Sequence, residues 1–290
     1  MAKTAVLVTG ATGGIGRAII RSLYAGDEPA IIAACRHPER LDEIAAGLKS
    51  DYPGSSSELI PRRLDLASFR DVMQSAETIL KKGIRLRALI NNAGTMPLRH
   101  HVTSDGYEEA TQVNYLSTVL LTRTLLPALD IGSTIVFTVS VTRHLTSPSA
   151  DFDSKSLNAR GRIAHFINYA RSKTLLSHYA LQLHDELKPK GINVCCSDPG
   201  VVDSGIITLG IPAIDRVADM IFRPLISTPA QGAAPALNAI RKPVSGAVFT
   251  SRHIRMLPDS WTADSDHKNA IIHTDRILNA LIARQTEVLT

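Results

Sequence analysis

Cysteine is scarce in this chain: three residues among 290, of which Cys195 and Cys196 are adjacent and Cys35 stands far away. With no Cys-x-x-Cys pair, neither a disulfide framework nor a cysteine zinc site is expected, and a reducing compartment is the simplest setting. Aromatic residues are also few, at 4%. The net charge of +5 is accompanied by no nucleic-acid-binding motif, so a nucleic-acid partner is not expected. Long apolar runs are missing too. One lysine precedes a short apolar stretch that ends at Thr9-Gly10, too brief for a secretory signal or a membrane span, and the expected location is cytoplasmic. No Pro/Gly/Ser-rich linker, repeat or low-complexity segment divides the chain, so residues 1–290 read as a single domain. His100, His101 and His144 lack a carboxylate or cysteine partner at ligand spacing, and no metal is expected.

What is present is an alternation. Apolar runs of strand length at 5–9, 30–35, 86–91, 134–140 and 192–197 are separated by stretches of helical period near 17–24, 39–48, 68–81, 106–129 and 163–187. That order predicts an α/β doubly wound sheet, mostly parallel, of about seven strands with helices on both faces. A weaker strand at 59–64 contains Pro61, which cannot donate to a ladder and so belongs at a sheet edge. A helix near 229–240 and a last strand at 247–250 complete the sheet. Beyond Arg255, Trp261 and the amphipathic set Ile271, Ile272, Ile277, Leu278, Leu281 and Ile282 predict a helix that docks on the domain.

Directly after the first strand comes Thr9-Gly10-Ala11-Thr12-Gly13-Gly14-Ile15-Gly16, followed by Arg17 and an apolar helical run. Strand, glycine turn and helix is the context in which backbone N–H groups and a helix N-terminus cradle a pyrophosphate. The spacing is Thr-Gly-x-x-x-Gly-x-Gly rather than Gly-x-Gly-x-x-Gly, because position 19 is isoleucine. At the end of the second strand, where an NAD enzyme places an acidic residue for the ribose hydroxyls, the chain has Cys35-Arg36-His37. Arg36 there suits the 2′-phosphate of NADP, so NADP (NADPH) is expected over NAD.

Tyr169 and Lys173 stand four residues apart in Tyr-Ala-Arg-Ser-Lys, and of the six tyrosines only Tyr169 has a lysine at that spacing. Positions i and i+4 of a helix share a face, so phenol and ammonium point into one cleft. A neighbouring cation is expected to lower the phenol from its usual pKa of about 10. Ser140 ends the strand upstream; its hydroxyl either serves the same chemistry or satisfies backbone at the strand end.

With these residues assembled, the chain resembles the short-chain dehydrogenase/reductase family from Thr9 to about Ser251. The resemblance is carried, in order, by the glycine turn, Asp65-Leu66, Asn91-Asn92-Ala93-Gly94, Ser140 and Tyr169-x-x-x-Lys173, with Asn114 and Pro199-Gly200-Val201-Val202-Asp203-Ser204 in support. It implies adenine contacts for Asp65 and Leu66, and a ribose floor from Asn92, Ala93 and Gly94. Lys173 would bond the nicotinamide ribose, and Pro199, Gly200, Val202 and Ser204 would hold the carboxamide end. It further implies Tyr169 as acid/base, Ser140 on the substrate oxygen and Asn114 in a proton relay. Plainer alternatives stand beside these: Asn114 bonding backbone within its helix, and Asp65 as a helix cap before Ser68.

Ser140 and Tyr169 are 169 − 140 = 29 positions apart, and residues 143–165 form an insertion like that of the retinol and 17-beta-hydroxysteroid dehydrogenases. Its charges, Arg143, Asp151, Asp153, Lys155, Arg160 and Arg162, read as a solvated surface loop. After Ser204 the apolar residues between Ile206 and Leu225 read as a lid at about 203–228 over a lipophilic substrate such as a steroid, retinoid or aldehyde. They also fit packing on the protein or peripheral contact with a membrane. The resemblance implies pairing of long helices into a homodimer or homotetramer, with residues 113–129 as the candidate surface. The expected activity is interconversion of a carbonyl and an alcohol. The alternatives are a non-catalytic NADP-binding regulator of the same fold and a nucleotide-sugar epimerase, whose glycine spacing differs.

Overall fold

The computed structural model describes residues 4–97, 99–149, 162–200 and 228–289. Eight strands form one sheet in the order β3-β2-β1-β4-β5-β6-β7-β8: β1 (Thr4–Thr9), β2 (Ala30–Cys35), β3 (Glu58–Arg63), β4 (Arg85–Asn91), β5 (Leu129–Thr138), β6 (Asn193–Ser197), β7 (Ala247–Phe249) and β8 (Ile254–Met256). The first seven run parallel and β8 returns antiparallel to β7. Pro61 pairs opposite Ala33 on the outermost strand β3, where the missing N–H faces no further strand. The eighth strand is one more than the sequence predicts. It is three exposed residues long and follows a hairpin closed by Thr250 N–H to His253 O at 2.9 Å. Neither Gly nor Pro marks that turn, so the usual hairpin signal is missing.

The helices are α1 (Gly14–Ala25), α2 (Leu41–Asp51), α3 (Phe69–Lys81), α4 (Ser117–Leu125), α5 (Arg162–Leu187), α6 (Pro229–Arg241) and α7 (Ser265–Leu289). Central strands are buried on both faces, which explains their unbroken apolar runs. In β1, Val6 and Val8 pack with Ile19, Ile20, Leu41 and Leu237 of α1, α2 and α6. Ala5 and Leu7 face the opposite layer with Phe69, Val72, Val119 and Leu176 of α3, α4 and α5. The helices after β1 and β4 thus pack on opposite faces, and the carboxyl ends of those strands are the switch point at which sheets of this order bind ligands. Among the described residues no helix is long and apolar enough to cross a membrane.

The C-terminal helix α7 docks on α5 and on the π-helical turn Gln112–Leu116 that precedes α4. Tyr115 OH shares a 2.7 Å hydrogen bond with Thr274 Oγ1, Tyr179 OH donates to Asp275 Oδ1 at 3.3 Å, and Ala270, Ile271 and Leu278 are buried. Part of the 113–129 segment, which the sequence offers for pairing between copies, is therefore covered within the chain. At the start of this contact Trp261 stacks on His178 with ring centroids 4.0 Å apart, and His178 Nδ1 meets His267 Nδ1 at 2.9 Å. One proton serves that contact, so the fold opposes protonation of both rings. Burial, then the neighbouring His267, pushes His178 down to about 4.

The sign follows from linkage. A histidine depressed in the folded state binds fewer protons than in the unfolded chain, so stability is full above its unfolded pKa of about 6.5 and falls as pH drops toward 4. The loss reaches up to about 3 kcal/mol. Melting temperature is expected to fall between pH 7 and 4.5, together with the emission of Trp261, the only tryptophan. In His178→Phe both slopes should flatten; unchanged slopes in that variant would place the acid sensitivity elsewhere.

Candidate active site

The glycine turn is built by close approach. Gly10 has φ +67°, and a Cβ there would lie 2.9 Å from Ala93 Cα; a Cβ on Gly16 would lie 2.1 Å from the Gly10 carbonyl oxygen. Gly13 N–H closes the turn on Gly10 O at 3.0 Å, and Ala11 N–H reaches Ala34 O at 3.1 Å. α1 then starts behind Gly13 without a side-chain cap and without an acidic residue in its first turn. Its leading N–H groups fit an anionic pyrophosphate. Thr9 joins this turn to the loop after β4: its hydroxyl accepts from Ala93 N–H at 3.0 Å and its carbonyl from Asn92 Nδ2 at 2.9 Å.

Around the turn, Arg36 stands exposed just past β2, and its carbonyl accepts from Arg63 Nη1 at 3.4 Å. Asp65 does not cap α3: its Oδ1 accepts from Ala67 N–H at 3.0 Å, while Ser68 caps that helix by accepting from Asp71 N–H at 3.3 Å. Leu66 is buried in the core layer, so its side chain belongs to packing. Val202 and Ser204, and all but the last residue of the expected lid, lie outside the described residues. Pro199 and Gly200 are described; Gly200 has φ +72° and donates its N–H to Asp198 Oδ1 at 3.1 Å.

The side chains expected to react converge at the carboxyl ends of β4, β5 and β6. Lys173 is 3% exposed, and its Nζ donates to Thr138 O at 2.8 Å. A Cβ on Gly94 would come within 3.3 Å of both Lys173 Nζ and Asn114 Oδ1, so this glycine keeps open the space between them. Asn114 does not bond within its own helix. The π-helical turn aims it at the loop after β4, where Oδ1 accepts from Thr95 N–H at 2.7 Å and Nδ2 donates to Thr95 O at 2.9 Å and Ser172 Oγ at 3.0 Å.

Ser140, two residues past β5, caps a 3₁₀ turn, Val141–His144, accepting from Thr142 N–H at 3.3 Å. Its hydroxyl also lies close enough to the Tyr169 hydroxyl to favour the phenolate. The cap accounts for the backbone reading of Ser140.

The electrostatics correct one expectation. Tyr169 is raised, not lowered, from its ordinary value: burial pushes it up, the Ser140 hydroxyl opposes this, and the Asp198 charge adds to the rise. Lys173 Nζ lies 5.8 Å from the Tyr169 ring centroid and is tied to a carbonyl instead. Burial also lowers Lys173 itself to about 8, with Asp198 opposing. A cation at that distance, partly discharged by burial, does not offset the desolvation of the phenol.

A model of the family described as short chain dehydrogenase matches residues 4–151. Polyprenol dehydrogenase of Mus musculus is 35% identical over 206 residues, which is 68% of this chain and 59% of the mouse protein. Human retinol dehydrogenase 12 is 29% identical over 252 residues, 84% of this chain and 77% of its own. The chain belongs to the short-chain dehydrogenase family. Among solved structures, a short chain dehydrogenase from Burkholderia cenocepacia J2315 in complex with NADP aligns with TM-score 0.64, 23% identity and 84% of this chain against 94% of its own. That likeness establishes the shared fold. Membership carries the reaction class: short-chain dehydrogenases are oxidoreductases acting on CH–OH groups.

In this short-chain dehydrogenase the structure adds residues that sequence reading misses. Arg143, read as part of a solvated loop, is only 11% exposed in its side chain: Nη1 donates to Asp198 Oδ2 at 2.6 Å and to Ser140 O at 2.9 Å. The partners are 55 positions apart, and no spacing rule links them. A charge three residues beyond the candidate serine was the only available signal. Arg63 beside Arg36 had a clearer one, since strands 30–35 and 59–64 were both foreseen.

Proposed function

We propose that the chain is an NADP(H)-dependent reductase or dehydrogenase that interconverts a carbonyl and an alcohol on a lipophilic small molecule, with Tyr169 as acid/base. The observation that carries the reading is the convergence of Ser140, Tyr169 and the buried Lys173 at the carboxyl end of β5. Bound there, the nicotinamide supplies or accepts a hydride at carbon. Ser140 stabilises the negative charge that develops on the substrate oxygen, and Tyr169 delivers the proton. In the oxidative direction the Tyr169 phenolate removes the hydroxyl proton. Lys173, with Asn114 and Thr95 behind it, holds the ribose end and leads the proton outward.

Arg36, exposed and backed by Arg63, supports the 2′-phosphate and hence NADP. Lipophilic substrates are favoured by Val141, Leu145, Phe166 and Ile167, exposed large apolar side chains on the 3₁₀ turn and the first turns of α5. The retinol and polyprenol named for its relatives have the same chemical character. We place the protein in a reducing compartment, with peripheral membrane contact compatible with these residues.

One experiment tests the three parts together: loss of NADPH or NADH absorbance against a panel of retinals, polyprenals, ketosteroids and short polar aldehydes. Arg36→Ala is expected to raise the KM for NADPH about 10- to 100-fold, the worth of one charge-assisted bond, and to leave that for NADH unchanged. Retained NADPH preference in Arg36→Ala/Arg63→Ala sinks the cofactor reading. Turnover confined to short polar aldehydes sinks the lipophilic one, and a protein that binds NADPH without turning over any member of the panel is the regulator instead.

A further inference from the structure

Arg143 and Asp198 form an ion pair with side chains 11% and 8% exposed. Two charges are rarely taken out of water unless further hydrogen bonds satisfy them, and these bonds lead to the reacting groups. On one side, Arg143 Nη1 donates to Ser140 O at 2.9 Å and Arg143 N–H donates to the same oxygen at 3.0 Å. On another, the Arg143 carbonyl accepts from Thr174 Oγ1 at 3.0 Å, one residue beyond Lys173. Asp198 N–H donates to Phe249 O at 2.8 Å, and Asp198 Oδ1 receives Gly200 N–H at 3.1 Å. Arg143 therefore joins, through its guanidinium, the turn that carries Ser140 to the Asp198-Pro199-Gly200 turn and, through its carbonyl, both to the helix that carries Tyr169 and Lys173.

We propose that Arg143 is a positioning residue: its pairing with Asp198 fixes Ser140 against the Pro199-Gly200 turn and sets a counter-charge against the buried carboxylate nearest the reacting groups. The inference rests on Tyr169 as acid/base. Among the described residues, Ser140, Lys173 and Asp198 act on or lie near Tyr169, and the titratable groups that sense the Arg143–Asp198 pair are Tyr169, Lys173, His144 and Cys196. Cys196 stays protonated, because burial pushes its thiol up to about 12. His144 is driven toward its neutral form by burial and by Arg143. Asp198 is the one carboxylate of the set, and Arg143 is the cation that touches it.

The test is the pH profile of kcat/KM for alcohol oxidation, whose rise with pH reports loss of the Tyr169 proton. In Arg143→Met the unpaired carboxylate is expected to move that limb upward by about one pH unit, so that turnover below the limb drops about tenfold. Asp198→Asn is expected to move it downward, and the double variant to return it near the wild-type position. Arg143→Lys keeps the charge but not the two-pronged reach, so kcat should fall with the limb in place. If Arg143→Met does not fold, Asp198→Asn and Arg143→Lys still oppose each other in this way. A limb that stays put in Arg143→Met and Asp198→Asn, with only melting temperature reduced, overturns the proposal. Tyr169→Phe measured in parallel separates the two possible failures. A limb that persists in Tyr169→Phe removes the acid/base reading and this inference with it. A limb abolished there but unmoved in the pair variants removes the inference alone.

Discussion

Tyr169→Phe is expected to lower kcat about 10²- to 10⁴-fold, the usual contribution of a positioned acid/base, while NADPH still binds. The substitution removes one oxygen from a partly buried ring and leaves the ring in place, so packing is preserved. Ser140 keeps its bond from Thr142 N–H and is not left as an unpaired buried hydroxyl, so melting temperature should change by a few degrees at most. Because burial and Asp198 hold the phenol above its ordinary value, reduction, which needs the protonated form, should persist to high pH. Oxidation should instead climb through the neutral range. NADPH binding followed by fluorescence, with single-turnover reduction of a carbonyl substrate, separates the chemical step from binding. More than a tenth of wild-type turnover in the variant removes Tyr169 from the acid/base role.

What the sequence shows of this site is what lies close in sequence. Tyr169 and Lys173 share a helical face because four residues make about one turn, and the glycine turn is contiguous, so both are readable without a fold. Pro61 goes further: its missing N–H alone assigns β3 to the edge. The reading stops where a contact joins distant segments. Arg143 looks like a loop charge until β5 and β6 are adjacent and bring Asp198 against it. Asn114 is visible as a polar residue in an apolar run, but its partner Thr95 emerges only when the π-helical turn rotates it toward the β4 loop. The effect of Lys173 on Tyr169 was misjudged for a related reason. Spacing gives proximity, whereas the shift depends on how deeply each group is buried, which is a property of the whole fold.

The turn also allows a sharp comparison between two glycine-to-alanine changes. In Gly16→Ala the new Cβ would sit 2.1 Å from the Gly10 carbonyl oxygen and 3.1 Å from Ala11 Cα. These are backbone atoms, so no rotamer relieves the contact and α1 must move away from the turn. Displacing it costs on the order of 1–3 kcal/mol, as overpacking does, and it breaks the alignment of the first N–H groups with the phosphate position. Both stability and cofactor binding are expected to suffer, with NADPH affinity reduced at least about 100-fold, more than loss of a single hydrogen bond brings. Gly47, by contrast, is exposed inside α2 with nothing within 4 Å of its would-be Cβ. Gly47→Ala is expected to stabilise the protein by about 0.5–1 kcal/mol, because alanine loses less backbone freedom in a helix, and to leave NADPH affinity unchanged. Melting curves with and without NADPH read both changes at once. The cofactor-induced rise in melting temperature should vanish in Gly16→Ala and persist in Gly47→Ala. An intact rise in Gly16→Ala means that the nucleotide does not rest on this turn.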